Sequence, residues 1–332
     1  MAKPTMDDVA RRAGVSRALV SLALRGSDKV SDRSRAAVQR AADELGYRPN
    51  LIARNLASKR TRTLGLVIND LHNPFFPKVA DGVKRAADAV GYRLMVNSAF
   101  LSDDDEAAAL DTFIDFQVDG VIMTGARIDA EVIERAALAV PLVIVSRPLA
   151  SDRIDTVNND DFAGATLATE HLIELGHRRI GHIDGGGAAG AAERRAGYET
   201  AMCAAGFAPI VTQAAFTEAS GVRAAGEMFE RHPDVTAIFA GNDLSALGAL
   251  DVIDDRGLEV PGDVSLVGYD DTFVAALRHV SLTTVDQHGE RLGGIAVELL
   301  LERLDAGRTE ARHEVTSPAL VVRETTGPPR TA

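Results

Sequence analysis

From Leu64 onward the chain repeats one pattern: a short apolar run closed by polar residues or glycine, followed by a stretch with helical spacing. The runs are LGLVIND, RLMVNSA, DGVIMTG, PLVIVSR, RIGHIDG, TAIFAGN and VSLVGYD. Runs so short and so apolar predict strands buried on both faces. The stretches between them predict helices. One spans 76–90, where Val79, Ala80, Val83, Ala87 and Val90 make a single stripe, and another spans 163–175. Strand–helix alternation requires parallel sheets, because a parallel connection has to cross over a face and covers it.

Ligands of such sheets settle at the carboxyl ends of the strands. The polar residues that close the runs are therefore the ligand candidates: Asn69, Asp70, Thr124, Ser146, Arg147, Asn242, Asp243, Asp270 and Asp271. Carboxylates, amides and guanidinium groups suit the paired hydroxyls of a sugar-like ligand, and an aromatic ring suits its C–H face. Aromatics are 5% of the chain, yet Phe75 and Phe76 stand together in HNPFF after the first run. They face a ligand or they pack in the core; Asp270 and Asn242 are likewise open between ligand contact and helix capping.

The first sixty residues follow another pattern. Thr5 is placed to cap a helix with Asp7 and Asp8 in its first turn, and Met6, Val9, Ala10 and Ala13 share one face. Gly14 ends that helix. Ser16 caps a second that runs to about Leu24 and buries Val20 and Leu24; Ser31 starts a third, with Val38, Ala41, Ala42 and Leu45 inward and Gly46 as its stop. Two short helices joined by a tight glycine-containing turn form a helix-turn-helix unit. Charge separates this head from the rest. Residues 1–62 hold 14 Lys/Arg against 6 Asp/Glu, while the remaining 270 hold 22 against 42, which makes the chain −12 overall. A basic head on an acidic body predicts that the head approaches a polyanion. Residues 49–62 (PNLIARNLASKRTR) are basic and carry only a weak apolar stripe of Ile52, Ala53 and Leu56, too little for an independent helix.

Several chemistries are excluded or disfavoured. No apolar tract reaches 18 residues and no apolar signal core opens the chain, so a soluble cytoplasmic protein without membrane contact is expected. A single cysteine, Cys203, rules out an internal disulfide and a cysteine zinc cluster, and is expected to be a small buried residue. GGGAAG at 185–190 satisfies G-x-G-x-x-G after the run RIGHID, but APIVTQ, some 20 residues on, ends in no acid for a ribose. Ser146 and Ser151 lack a nucleophile elbow, and His171 and His177 are not spaced as metal ligands; His177 and His182 are expected to be structural. No enzyme, cofactor or metal is expected.

The head and body together resemble the LacI/GalR family of transcription regulators. TMDDVARRAGVSRALVSLAL and KVSDRSRAAVQRAADELGYRPNLIARNLASKRTRTLGLV resemble its headpiece and hinge. LHNPFF, VSRPL, HLIELGHRRIGHI, ERRAGY, GNDLSALGAL, VPGDVSLVGYDDT and LTTVDQ resemble its periplasmic-binding-protein-like body. The resemblance implies an all-α headpiece at 1–48, a hinge helix at 49–62 and a two-lobed α/β effector body at 63–332. The N-lobe would hold about 63–158 and 288–316, the C-lobe about 159–287 and 317–328. It implies DNA contacts from Thr5, Ser16, Arg17, Ala18, Ser21, Leu22, Arg25 and Ser31, and from Asn50, Ala53, Arg54 and Leu56 in the hinge, with Leu56 wedged into the minor groove. It implies effector contacts from Asn73, Phe75, Phe76, Thr124, Ser146, Arg147, Arg194, Phe216, Asn242, Asp270 and Gln287, with Arg194 and Arg147 clamping hydroxyl or carboxylate oxygens.

Two departures stand out. Leu19 and Leu22 replace a threonine and an arginine usual in the recognition helix, and Ser146 replaces an aspartate that many sugar-binding relatives place before the arginine. The function implied is a sequence-specific regulator, by resemblance a repressor, whose operator affinity answers to a sugar or sugar derivative. One recognition helix reads too few bases, so a homodimer on a pseudo-palindromic operator is expected. Release and capture of DNA by the ligand both fit. The body alone would also suit a periplasmic sugar-transport receptor; the basic head argues against it.

Overall fold

The computed structural model describes residues 4–24, 27–48 and 60–330. The chain forms two compact units, Met1–Thr61 and Arg62–Ala332. In the first, α1 (Met6–Ala13), α2 (Arg17–Leu24) and α3 (Asp32–Leu45) surround a core of Val9, Ala10, Val20, Ala23, Val30, Val38, Ala41 and Ala42. Thr5 starts α1 with a capping box: its hydroxyl accepts from Asp8 N–H, and the Asp8 carboxylate accepts from Thr5 N–H at 2.9 Å. Gly14 (φ 66°) and Gly46 (φ 63°) end α1 and α3 in the left-handed conformation that glycine adopts without strain. Leu19 packs against the core, so its apolar side chain serves the headpiece interior.

The second unit is α/β. It comprises β1 (Thr63–Ile68), α4 (Phe75–Ala89), β2 (Arg93–Ser98), α5 (Asp103–Asp115), β3 (Gly120–Thr124), α6 (Ala130–Ala136), β4 (Leu142–Val145), β5 (Asp155–Asn159), α7 (Asp161–Glu174), β6 (Ile180–Ile183) and α8 (Ala191–Ala204). Then follow β7 (Ile210–Thr212), α9 (Glu218–Arg231), β8 (Ala237–Ala240), α10 (Asp243–Asp255), β9 (Ser265–Val267), β10 (Thr284–Asp286), α11 (Gly289–Ala306), β11 (His313–Thr316) and β12 (Ala319–Val321). Six strands in the order β11-β5-β4-β3-β1-β2 make one parallel sheet, and four in the order β7-β6-β8-β9 make another. The chain passes between the sheets after β5, between β10 and α11, and between β11 and β12; β10 and β12 pair antiparallel. Both sheets reverse strand order beside their first strand, β1 and β6, and a crevice opens at such a switch point.

All seven apolar runs are strands. Five further strands, β5, β7, β10, β11 and β12, lie outside them. The histidine expectation holds: His177 is bonded to Thr236, Ser265 and the Gly327 carbonyl, and His182, fully buried, bonds the Phe239 carbonyl. Burial holds His182 down at a pKa of about 4, hence neutral. Cys203 is a correction: it is exposed. Met202 beside it faces the core, and one residue along a helix turns the side chain about 100° away, toward solvent. Among the described residues no helix is long and apolar enough to cross a membrane.

Helix pairs in the body meet at backbone distance. A Cβ on Gly82 of α4 would lie 2.0 Å from the Glu290 carbonyl oxygen of α11, and one on Gly293 of α11 would lie 2.2 Å from the Val79 carbonyl oxygen. Gly82→Ala must push α4 and α11 apart, and should cost about 2–3 kcal/mol. A melting temperature unchanged from wild type would show that the two helices can slide without loss.

Candidate functional site

A cavity of about 230 Å³ lies between the carboxyl edges of the two sheets. The first sheet contributes Asn69 and Asp70 after β1, Gly125 and Arg127 after β3, and Ser146 after β4. The second contributes Gly185 after β6, Phe216 beyond β7 and Asp270 beyond β9. Asn73, Phe75 and Phe76 at the start of α4, Asp161 at the start of α7, Arg194 on α8 and Gln287 also line it. Eight of the eleven expected effector residues therefore meet here: Asn73, Phe75, Phe76, Ser146, Arg194, Phe216, Asp270 and Gln287.

The other three are placed elsewhere. Thr124 is buried and its hydroxyl donates to the Val67 carbonyl across the sheet. Arg147 donates from Nη1 to the carbonyls of Ala126 (3.2 Å) and Ile128 (2.6 Å), which holds the loop after β3. Asn242 is the cap of α10, where its Oδ1 accepts from Ser245 N–H and hydroxyl while its Nδ2 donates to the Phe216 carbonyl. Asp270 takes the opposite course. It is 2% exposed, adopts φ 111° and caps no helix; its carboxylate accepts from Gln287 Nε2. Phe75 is both core and wall, while Phe76 is only partly covered and meets Phe75 edge-on.

Arg194 is the hub. The residue is 5% exposed, and its guanidinium lies over the Tyr269 ring (3.8 Å to the centroid) and near that of Phe216 (5.1 Å). Nε donates to Asp161 Oδ1 at 2.9 Å, Nη1 donates to the Gly241 carbonyl at 2.6 Å, and Asp270 Oδ1 lies 3.6 Å from Nη1. Burial opposes the charge on Arg194, but Asp161, Tyr269 and Asp270 outweigh it and raise its pKa. Burial pushes the Asp270 carboxyl up to about 8, Arg194 opposes the rise and Asp243 adds to it. Burial therefore favours the protonated form of Asp270 at neutral pH.

Buried carboxylates set the loops. Glu106 accepts from the backbone N–H groups of Arg127 and Ile128, although burial raises its pKa. Asp243 accepts from Thr272 N–H and hydroxyl and from the Thr284 hydroxyl, which fixes the turn that carries Asp270. Two wall residues each bury a polar atom without a partner: Asn69 Oδ1 and Ser146 Oγ. Each carries a desolvation cost of about 1–3 kcal/mol. Close packing accounts for two glycines of the loop at 185–190. A Cβ on Gly185 would meet the Phe216 ring at 2.2 Å, and one on Gly190 would meet the Asp161 carboxylate at 2.6 Å. Asp161 and Arg127 were not foreseen from the sequence.

In the first unit, Arg17, Ala18 and Leu22 are exposed on one side of α2, Leu22 by 37%, and Ser21 beside them is half-buried. Thr5, Ser16 and Ser31 are exposed cap residues whose hydroxyls accept from Asp8, Leu19 and Ser34 N–H. Arg25, Asn50, Ala53, Arg54 and Leu56 lie outside the described residues.

Known proteins share both units. Residues 5–50 match the model of bacterial regulatory proteins of the lacI family, and 61–324 match periplasmic binding proteins and the sugar-binding domain of that family. The chain belongs to the LacI family. This LacI-family chain is a DNA-binding transcription regulator and not an enzyme. It is 37% identical to the HTH-type transcriptional regulator CelR of Thermobifida fusca, over 97% of this chain and 98% of that one. A structure of a CelR–cellobiose complex superposes with a TM-score of 0.74 at 36% identity, covering 97% and 99% of the two chains. A lac repressor dimer bound to operator and the anti-inducer ONPF gives a TM-score of 0.86 at 27% identity, covering 98% and 100%.

Proposed function

We propose that the chain acts in the cytoplasm as a homodimeric repressor on a pseudo-palindromic operator, with a sugar in the cleft between its sheets controlling operator affinity. The observation that carries the reading is Arg194, held between Asp161 and Asp270 over an aromatic ring, at the switch points of both sheets. Asn69, Ser146, Asp270 and Gln287 offer hydrogen bonds to hydroxyls, and Phe75, Phe76 and Phe216 offer apolar faces. The relatives named for cellobiose and for an operator-bound dimer support the same assignment.

The headpiece is 1–48, the hinge 49–62 and the effector body 63–332, its N-lobe built on the six-stranded sheet and its C-lobe on the four-stranded one. Arg17, Ala18, Ser21 and Leu22 read the major groove, with Thr5, Ser16, Arg25 and Ser31 beside them. Asn50, Ala53, Arg54 and Leu56 read the operator's centre. Leu22 in place of an arginine contacts a thymine methyl rather than guanine, which gives up roughly 1–3 kcal/mol of discrimination at that base. Ligand binding changes the angle between the lobes, and with it the spacing of the paired hinges. A coupling of about 1–3 kcal/mol is expected.

Selection of bound duplexes from a random pool should return an inverted repeat, and a gel shift on it with cellobiose or other neutral sugars should change affinity by about 5- to 150-fold. Retention of no duplex over bulk competitor would sink the reading.

A further inference from the structure

The inference deepens the carbohydrate reading of the cleft and rests on it. We propose that Asp161 restricts the effector to uncharged polyhydroxy compounds, shutting out phosphorylated and carboxylate-bearing sugars. The charged residues of the cavity wall are Asp70, Asp161 and Asp270 against Arg127 and Arg194. The charge of Arg194 is already balanced, though its Nη2 N–H groups remain as donors: Asp161 holds Nε at 2.9 Å, the Gly241 carbonyl takes Nη1, and Asp270 stands 3.6 Å from the same nitrogen. The second guanidinium expected to clamp the ligand, Arg147, is turned onto the Ala126 and Ile128 carbonyls. Arg127 is 44% exposed and its Nε lies 3.6 Å from Asp103, so its charge sits at the solvent edge and is shared outside the cavity.

Among the described residues the wall therefore carries no surplus positive charge. With Asp270 protonated its charges cancel; with Asp270 ionised one negative charge remains. An anion entering this buried space loses its hydration and finds no unpaired cation. A hydroxyl fits what is left. It can donate to the wall carboxylates Asp161 and Asp70, and a fully ionised oxyanion has no proton to give a carboxylate. Asp161 is decisive because its contact with Arg194 is short and charge-assisted, whereas Asp270 is more distant and burial favours its protonated form.

The test is calorimetric titration of the full-length protein with matched pairs: cellobiose against cellobionate, and glucose against glucose 6-phosphate. Wild type should bind each anionic member at least about tenfold more weakly than its neutral partner. Asp161→Asn keeps the side-chain shape and an acceptor for Arg194 Nε, and should shrink that gap at least about fivefold by freeing the charge. A thermal shift with orthophosphate supplies a readout that needs no sugar recognition. Phosphate should stabilise Asp161→Asn more than wild type, and any contribution from the basic headpiece is common to both and cancels. Should Asp161→Asn fail to fold by circular dichroism, Asp161→Ser removes the same charge with a smaller side chain and gives the same comparison. Anionic sugars binding wild type as well as neutral ones, or equal phosphate shifts in wild type and variant, would overturn the proposal. Failure of every saccharide alongside a retained phosphate difference would remove the sugar reading and leave the charge rule standing.

Discussion

Asp155→Ala should lower the stability of the α/β unit by roughly 3–5 kcal/mol, the cost of stripping a buried ion pair of one partner. Asp155 opens β5 and is fully buried. Arg303 grips it with Nε and Nη2 at 2.7 and 2.8 Å, Arg308 with Nη1 and Nη2 at 3.0 and 2.9 Å, and Arg312 N–H adds a fifth bond at 2.7 Å. These bonds tie β5 to the end of α11 and to the loop that leads into β11, the segment just before the chain crosses between sheets for the last time. Burial works against ionisation of Asp155, but the hydrogen bonds from Arg303, Arg308 and Arg312 prevail and hold its carboxyl below the usual range. Stability gained this way is fully present above the unfolded carboxyl's pKa of about 3.9 and is lost as pH falls through the lower folded value. The melting-temperature gap between wild type and Asp155→Asn should therefore be constant from about pH 5 upward and narrow below about pH 4. A gap that stays level down to pH 3 would mean that the charge contributes nothing.

The strands easiest to foresee from the sequence are those with no surface to show. LGLVI, GVIMT and LVIV pack against helices on both faces, so every residue but Thr124 is apolar and the run stands out. Asp155–Asn159 is equally buried, yet its residues are Asp-Thr-Val-Asn-Asn, because it carries the arginine-gripped carboxylate and, in Asn159, a donor to the Tyr269 hydroxyl at 2.8 Å. Specific polar partners replaced apolar burial, and the hydropathy pattern vanished with it. Asp161 was missed for the same reason, since it follows a strand that periodicity does not reveal. Arg147 and Asn242 show the complementary ambiguity. Each closes a strand, as ligand residues do, but a residue in that place can also hold a loop carbonyl or cap the next helix, and the spacing is identical. Phe216 and Gln287 came from the family resemblance rather than from any pattern of their own. The capping residues Thr5, Ser16 and Ser31 were legible because a cap is a local event, settled within three or four residues.

Arg194→Ala should abolish saturable sugar binding at millimolar concentrations while the headpiece, which has its own core, keeps its fold. The guanidinium is the group that Asp161, Asp270, the Gly241 carbonyl and two aromatic rings all address, so removing it disorganises the cleft rather than deleting a single contact. Hydrogen bonds to a charged group are worth about 1.5–3 kcal/mol each, and two of them lost from a bound sugar amount to a hundredfold or more in affinity. The two acids left behind lose their shared cation, and Asp270, already raised by burial, gains a further reason to hold its proton. A fall in melting temperature is expected for that reason, which makes loss of binding alone ambiguous. Arg194→Lys separates the two effects. The ammonium keeps a charge for Asp161 and Asp270 but cannot stack flat on Tyr269 or reach Asp161 and Gly241 with fixed geometry. Stability should return most of the way while sugar affinity stays at least about tenfold below wild type. If Arg194→Lys restored affinity and stability in step, Arg194 would be a structural counter-ion for two acids, and recognition of the sugar would have to lie with Asn69, Ser146 and the phenylalanines.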